Sequence, residues 1–178
     1  MGIIFCYLLL AFFVLKSLNA FEYSLPGDPN WPTLYNFTSF RSNVQGKVML
    51  RGENGYAPHT WNQMTNTPKP AMIVQPLNAQ DVKESLKFAR TFKLRISVQS
   101  TGHHQDHRNI YDNGVHIDMS SMTHKIIDLK AKTLTLGSGN NFSQIQAFVA
   151  QASNATLVAA CGADPGVNKY MGDIEMIF

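Results

Sequence analysis

A strand, a helix and a second strand follow one another between residues 70 and 100, and this pattern constrains the fold most. The run "PAMIVQP" is rich in strand-forming residues and ends at Pro76, and the run "LRISVQ" ends just before Ser100. Between them, "NAQDVKESLKFARTF" has the apolar spacing of an amphipathic helix. Such a βαβ unit is right-handed in nearly all proteins. The sequence therefore predicts two parallel strands joined by a right-handed crossover.

The predicted helix has a start signal and one buried face. Asn78 can accept a hydrogen bond from the first turn, and Asp81 in that turn interacts favourably with the positive end of the helix dipole. We expect the buried stripe to consist of Val82, Leu86, Ala89 and Phe92.

The elements that follow indicate an α+β domain. The run "VHIDM" predicts a third strand, and "KIIDLK" with "TLTLG" predicts a hairpin around residues 130–132. In "NFSQIQAFVAQA" we expect a helix with Ile145, Phe148 and Val149 turned inward, and in "TLVAAC" a final strand. The tail "NKYMGDIEMIF" has no clear pattern and no obvious partner element. Strands and helices in this order are typical of the α+β class.

Residues 21–67 differ from the rest of the mature chain. They are rich in Pro, Gly, Asn and Tyr and show little periodicity. We interpret them as an irregular N-terminal arm with short helical turns, followed by one domain over residues 68–178.

Residues 1–20 predict a secretory signal peptide. An apolar run, "GIIFCYLLLAFFVL", is too short to span a bilayer comfortably, and the small residue Ala20 suits cleavage. The segment before this run lacks Lys and Arg, so an uncleaved signal anchor is the alternative. Cleavage predicts a secreted protein with no membrane segment in its mature part.

Three glycosylation sequons and one unpaired cysteine accompany this prediction. The sequons begin at Asn36, Asn141 and Asn154, and each has the pattern Asn-x-Ser/Thr. Of the two cysteines, Cys6 would leave with the signal peptide. Cys161 would then be a free thiol, an intermolecular bridge or a covalent attachment point.

The loop after the second predicted strand is the candidate site. The segment "VQSTGHHQDHRNI" begins with Ser100, Thr101 and Gly102 and contains three of the chain's six histidines. Glycine lets the backbone approach a bound group, and successive N–H groups in such a turn can hold phosphate oxygens. Ligands bind at the carboxyl ends of parallel strands in α/β sheets. A plain surface turn is the alternative.

A metal site is a further alternative, and the spacing argues against it. His103 and His104 are adjacent, so their side chains diverge on an extended backbone, and no HxH or HExxH pattern is present. His116 lies between Val115 and Ile117 on an alternating strand and should point away from their face. We predict no metal, although an enzyme using His103, His107 and His116 as ligands stays open. A net charge of +3 without a basic run gives no reason to expect a nucleic-acid partner.

Residues 68–167 resemble a known flavoprotein domain. The runs "PAMIVQP", "DVKESLKFAR", "VQSTGH" and "GVHIDMSSM" occur in the order and spacing of the FAD-binding domain of the vanillyl-alcohol oxidase and berberine bridge enzyme superfamily. The match continues through "TLTLGSGNNFSQIQAFVAQ" and "LVAACGADPGV". The resemblance implies the p-cresol methylhydroxylase (PCMH) type of FAD-binding fold, a βαβ unit plus a mixed sheet with flanking helices. It also implies that the fold is incomplete at its C-terminus, because the family continues into a Gly-rich stretch and a substrate domain.

The resemblance implies roles for individual residues. The family histidine that is bonded to the 8α-methyl group of the flavin corresponds to His103. The diphosphate and flavin would be lined by Ser100, Thr101, Gly102 and His104.

Two further loops would complete the site. Asp118, Ser120 and Met122 resemble the family's turn beside the flavin, for which a simple capped turn is the alternative. Gly137 and Gly139, with Ser138 between them, resemble the next flavin-facing loop. Cys161 corresponds to a second flavin attachment point of some members, although the glycine after it is displaced from the usual pattern.

The implied activity is that of an FAD-linked oxidase. A small-molecule substrate, which is an alcohol, a sugar or an amine, would give a hydride to the flavin, and O₂ would take up the electrons. No catalytic base can be named from this sequence. A catalytically inactive secreted fragment of such an oxidase is the alternative.

Overall fold

The structure, a computed structural model, describes residues 22–58, 67–103 and 110–158, and the backbone of residues 174–177. The predicted signal peptide, His104, His107 and Cys161 lie outside the described residues. In chain order, the elements are α1 (Leu34–Ser42), β1 (Lys47–Leu50), β2 (Met72–Gln75), α2 (Ala79–Thr91), β3 (Ile96–Gln99), β4 (Val115–Asp118), a 3₁₀ turn (Met119–Ser121), β5 (Lys125–Asp128), β6 (Thr133–Leu136), α3 (Phe142–Ala152) and β7 (Ile174–Ile177).

Four strands form the first sheet, in the order β1-β2-β4-β3. Strands β2 and β3 both run parallel to β4, which lies between them. Ile73 and Ser97 therefore stand on either side of His116. The prediction of two parallel strands joined by a helix is confirmed, with the addition that the third strand separates them.

One face of this sheet forms the main apolar core. Met72, Val74, Val115 and Ile117 are each fully buried. They belong to one apolar cluster with aromatic residues of α1 and α2, which are Phe37, Phe40 and Phe88. The rings of Phe40 and Phe88 are 4.7 Å apart, within the range of favourable aromatic pairs. Both helices therefore cover the same face of the sheet.

The predicted buried stripe of α2 is partly wrong. Leu86 is 43% exposed, and Val82 and Phe92 are only partly buried. Ala89 is buried as expected. The other buried residues of the helix are Asp81, Ser85 and Phe88.

The helix is rotated about its axis relative to the predicted orientation, and a buried carboxylate at its start explains why. The oxygens of Asp81 accept hydrogen bonds from the backbone N–H groups of Gln45, Gly46 and Leu77 at 2.9–3.0 Å. Asn78 caps the helix by accepting from the Asp81 N–H at 2.9 Å, as predicted. Because Asp81 must face inward to bind the segment before β1, the residues one and two turns later on its side face inward too.

Residues 22–58, the described part of the predicted N-terminal arm apart from Thr67, are more regular than expected. Within them, α1 begins with a capping box between Thr33 and Asn36, and β1 pairs antiparallel with β2 at the edge of the sheet. A strand of four residues offers too little periodicity to recognise, and its pairing with β2 is a long-range interaction. The boundary at residue 68 stays a prediction, and the segment before it contributes two elements to the same core.

The second sheet has the order β5-β6-β7. The predicted hairpin of β5 and β6 is confirmed, and α3 begins at a capping box between Asn141 and Gln144. Leu134, Leu136, Phe142, Ile145 and Val149 form its apolar cluster, with Phe148 partly buried.

Two expectations about the C-terminal part need correction. Residues 174–177 pair antiparallel with β6, so the tail does have a partner. Residues 156–158 of the predicted strand "TLVAAC" are not in a strand, and the remaining three lie outside the described residues.

Replacing Asp81 should test the anchor between α2 and the segment before β1. We expect Asp81→Ala to lower the free energy of unfolding by about 2–3 kcal/mol, because three hydrogen bonds to a buried carboxylate are lost. Lys83→Ala, on the exposed side of the same helix, is the control and should change it by less than about 0.5 kcal/mol. Urea unfolding of both variants measures the difference, and equal stability would contradict the assignment.

Candidate functional site

The three parallel strands end in polar residues at one edge of the first sheet. These residues are Gln75, Gln99 and Asp118, and the register places Asp118 opposite Gln99. One carboxylate oxygen of Asp118 accepts from Gln75 Nε2 at 3.0 Å, and the other accepts from the Ser120 N–H at 3.0 Å. Asp118 therefore caps the 3₁₀ turn and ties it to β2.

Three loops meet at this edge. The Ser100 hydroxyl donates to the carbonyl oxygen of Ser138, which joins the loop after β3 to the loop after β6. The Gly139 N–H donates to the Met122 carbonyl at 2.9 Å, so the turn after β4 joins the same group. The structure thus brings together six of the predicted site residues, namely Ser100, Asp118, Ser120, Met122, Gly137 and Gly139.

The two glycines after β6 have a packing reason of their own. A Cβ atom on Gly137 would lie 2.2 Å from the Met122 carbonyl oxygen, and one on Gly139 would lie 2.4 Å from that of Met119. Neither backbone could accept such a contact without shifting. Close approach to the turn after β4 is therefore sufficient to require glycine here, and the predicted contact with a flavin stays a prediction.

The Ser-Thr-Gly loop has the conformation that its glycine permits. Gly102 has a φ of +75°, which is the left-handed region that glycine enters most readily. Gly102 is buried, whereas Thr101 and His103 are half-buried. The candidate residues His104 and Cys161 lie outside the described residues, so their placement beside this loop stays a prediction.

His116 is the most unusual residue on the inner face, the face of the sheet opposite the main core. It is fully buried, its Nδ1 lies 2.9 Å from the Ser97 hydroxyl, and it belongs to neither apolar cluster. Among the described residues, its Nε2 has no hydrogen-bond partner. Burial lowers the pKa of His116 to about 4, against the opposing effect of the Asp118 carboxylate. His116 is therefore neutral at physiological pH.

Sequence reasoning missed Gln75, Gln99 and Ser97. The two glutamines are the last residues of their strands, and Gln99 is only 2% exposed. A polar residue that ends a predicted buried strand is the signal that could have found them, because such residues point to the edge where ligands bind.

The described residues contain neither a cluster of metal ligands nor a helix that could cross a membrane. In residues 22–58, 67–103 and 110–158, no three His, Cys, Asp or Glu side chains lie close enough together to hold a metal ion. In the same ranges, no helix has both the length and the apolar character to cross a membrane.

The family model of the FAD binding domain matches residues 70–167, which is more than half of the chain's 178 residues. The chain belongs to this family. The match begins just before β2 and includes every loop of the candidate site. The resemblance to the vanillyl-alcohol oxidase and berberine bridge enzyme group is thereby confirmed.

Similar proteins agree with this assignment. An FAD-linked oxidoreductase of Aspergillus terreus is 30% identical over 157 residues, which cover 80% of this chain and 32% of the relative. The crystal structure of 6-hydroxy-D-nicotine oxidase from Arthrobacter nicotinovorans has a TM-score of 0.63 and 27% identity, over 70% of this chain and 27% of that one.

A VAO-type flavoprotein of Myceliophthora thermophila has the same fold. Its TM-score is 0.62 at 16% identity, and the likeness covers 82% of this chain and 36% of that one. The predicted α+β fold of the PCMH type is confirmed. The chain spans about a third or less of the length of the curated relatives it matches, as the shares of 22% and 32% show.

The residues at the strand ends fit the phosphate-bearing cofactor of this family. The loop at Gly102 bends through a positive φ without a side chain in the way, and it follows a parallel strand directly. Successive N–H groups in such a turn form an anion-binding concavity. Thr101 supplies a hydroxyl group and His103 an imidazole at the same place.

Acid should destabilise the protein through His116. The pKa of this imidazole is about 6.5 in the unfolded chain and about 4 in the folded one. Between pH 6.5 and pH 4, the unfolded state therefore binds a proton that the folded state does not bind. The free energy of unfolding should therefore fall as pH drops from 6.5 to 4, by about 3 kcal/mol from this group.

A variant without the imidazole isolates this contribution. His116→Gln cannot titrate in this range and should lose about 3 kcal/mol less than the unmodified chain between pH 7 and pH 4. His124→Gln, which replaces an exposed histidine, should behave as the unmodified chain does. Urea unfolding at several pH values measures this, and equal acid sensitivity of both variants would refute the role of His116.

Proposed function

We propose that the protein acts as an FAD-linked oxidase on a small-molecule substrate, which is an alcohol, a sugar or an amine, with O₂ as the electron acceptor. The chemistry that FAD would supply when bound is to accept a hydride from a substrate carbon. The observation that carries this proposal is the family match over residues 70–167, which includes the three loops that meet at the strand ends. The name of the nicotine-derivative oxidase among the similar structures supports an oxidase that acts on a small molecule.

The chain's own residues would bind and orient the cofactor. The N–H groups around Gly102 would hold the diphosphate, and the hydroxyl group of Thr101 lies beside them in sequence. Ser100 is buried and bonded to the Ser138 carbonyl, so it would fix the loop rather than contact the phosphates. Ser100 would then stabilise the loop, in place of the direct lining of the diphosphate that the resemblance implies.

His103 is the proposed covalent attachment point. The half-buried imidazole of His103 directly follows the glycine of the loop, so a ring nitrogen can reach a group seated on the neighbouring amides. A covalent bond to imidazole withdraws electron density from the flavin, which makes the flavin a stronger oxidant. It also prevents loss of the cofactor in dilute surroundings.

Replacing His103 tests the attachment. We expect purified protein to be yellow and to keep its flavin in the pellet after acid precipitation, whereas His103→Ala should release all of it to the supernatant. His124→Ala, an exposed histidine on another loop, is the matched control and should keep the flavin bound. Flavin absorbance in the two fractions is the measurement, and a yellow His103→Ala pellet would contradict a single bond at this residue.

Cys161 decides between one covalent bond and two. The proposal is a single bond through His103, with Cys161 as an unpaired thiol. We then expect Cys161→Ala to retain its flavin in acid, and the unmodified chain to react with one equivalent of a thiol reagent after unfolding and removal of residues 1–20. If Cys161 is a second attachment point, His103→Ala will keep its flavin in acid and only the double variant will lose it.

The catalytically inactive form is the second candidate. Protein that binds FAD but forms no peroxide with a panel of alcohols, sugars and amines would support this alternative. Peroxide formation with any of them would support the oxidase.

Secretion is also proposed. The apolar run within residues 1–20 and the three sequons support it. N-terminal sequencing of protein recovered from the medium should begin near Phe21, and retention of the chain inside the cells would contradict secretion.

A further inference from the structure

The three sequons occupy different structural positions. The sequon at Asn36 lies in the first turn of α1, and the sequon at Asn141 begins at the N-cap of α3. The sequon at Asn154 lies in the turn that follows α3. Because a glycosyl transferase must approach the asparagine amide closely, these positions are not equivalent in a folded chain.

Two of the sequons take part in helix capping. The amide oxygen of Asn36 accepts from the Thr33 N–H at 2.8 Å, and that of Asn141 accepts from the Gln144 N–H at 2.9 Å. The middle residues of these sequons, Phe37 and Phe142, are only 8% and 4% exposed. To present either sequon in an extended form, the protein would have to unwind a capped helix turn and expose a core phenylalanine.

The third sequon has none of these restraints. Asn154, Ala155 and Thr156 are all exposed. Among the described residues, the side chain of Asn154 makes no hydrogen bond, and the Thr156 hydroxyl donates to the Ser153 carbonyl at 2.6 Å. Both Asn154 and Ala155 have positive φ values, 50° and 60°.

This backbone conformation favours opening of the turn. The left-handed region costs an ordinary L-residue roughly 1–2 kcal/mol, and Ala155 gains nothing from a side-chain hydrogen bond there. Opening the turn releases this strain. It breaks the bond from the Thr156 hydroxyl to the Ser153 carbonyl and the two backbone bonds that the Ala155 and Thr156 N–H groups donate to the carbonyls of Ala150 and Ser153. The sequon can therefore become extended without disturbing the core.

We propose that Asn154 is the N-glycosylation site of this protein, an inference that rests on the proposed secretion. In the transfer, the amide nitrogen of Asn154 forms a bond to the anomeric carbon of a sugar that is carried on a lipid diphosphate. The bond from that carbon to the diphosphate breaks, and the amide loses one proton. The glycan then extends into solvent beyond the end of α3.

The test uses the chain in a eukaryotic secretory host, with an established signal peptide in place of residues 1–20. This replacement separates the inference from the proposed signal peptide, because entry into the secretory pathway no longer depends on it. We expect a single glycan, seen as a gel-mobility shift that an N-glycan amidase removes, with conversion of Asn154 to aspartate in the mass spectrum. Absence of any shift in the secreted chain would overturn the proposal.

Matched variants identify the site. Thr156→Ala destroys the sequon and should abolish the shift, whereas Thr156→Ser retains the pattern and should keep it. Asn36→Gln and Asn141→Gln should also keep the shift. A shift that persists in Thr156→Ala, or that is lost in Asn36→Gln or Asn141→Gln while the protein is still secreted, would overturn the assignment to Asn154.

Discussion

The placement of β4 between β2 and β3 is the constraint on which the rest of the structure depends. All four residues of β4 are buried, and the strand is hydrogen-bonded on both sides. Because all three strands run in the same direction, they end at one edge, and the chain must leave the sheet there in neighbouring loops. This geometry turns three separate stretches of sequence into one site.

The two faces of this sheet have different physical roles. The face covered by α1 and α2 is apolar and supplies most of the hydrophobic stabilisation. The inner face is also buried, but beside the apolar Ile73 it carries the polar side chains of β3 and β4, which must find partners within the protein or in a bound molecule. Asp118 does so through Gln75 and Ser120, and His116 does so only in part through Ser97. A buried, incompletely bonded polar group of this kind is expected beside a functional site rather than in a purely structural core.

The candidate site shows how packing and binding can require the same residue type. Gly137 and Gly139 resemble the family's next flavin-facing loop, yet each is already required to be glycine by a carbonyl oxygen of the turn after β4. Ser100 similarly bonds to the loop after β6. Some residues of a family motif therefore assemble the loops themselves, as Ser100, Gly137 and Gly139 do in this chain.

The sequence by itself determined the local elements and the family. The apolar spacing, the asparagine caps and the order of motifs predicted α2, α3, β2 to β6, the α+β class and an FAD-binding domain, because these features depend on residues close together in the chain. Only the tertiary structure decided the position of β4 between its neighbours, the rotation of α2 by the buried Asp81, and the edge strands β1 and β7. Each of these depends on a pairing between segments far apart in sequence, for which a run of four residues carries no local signal.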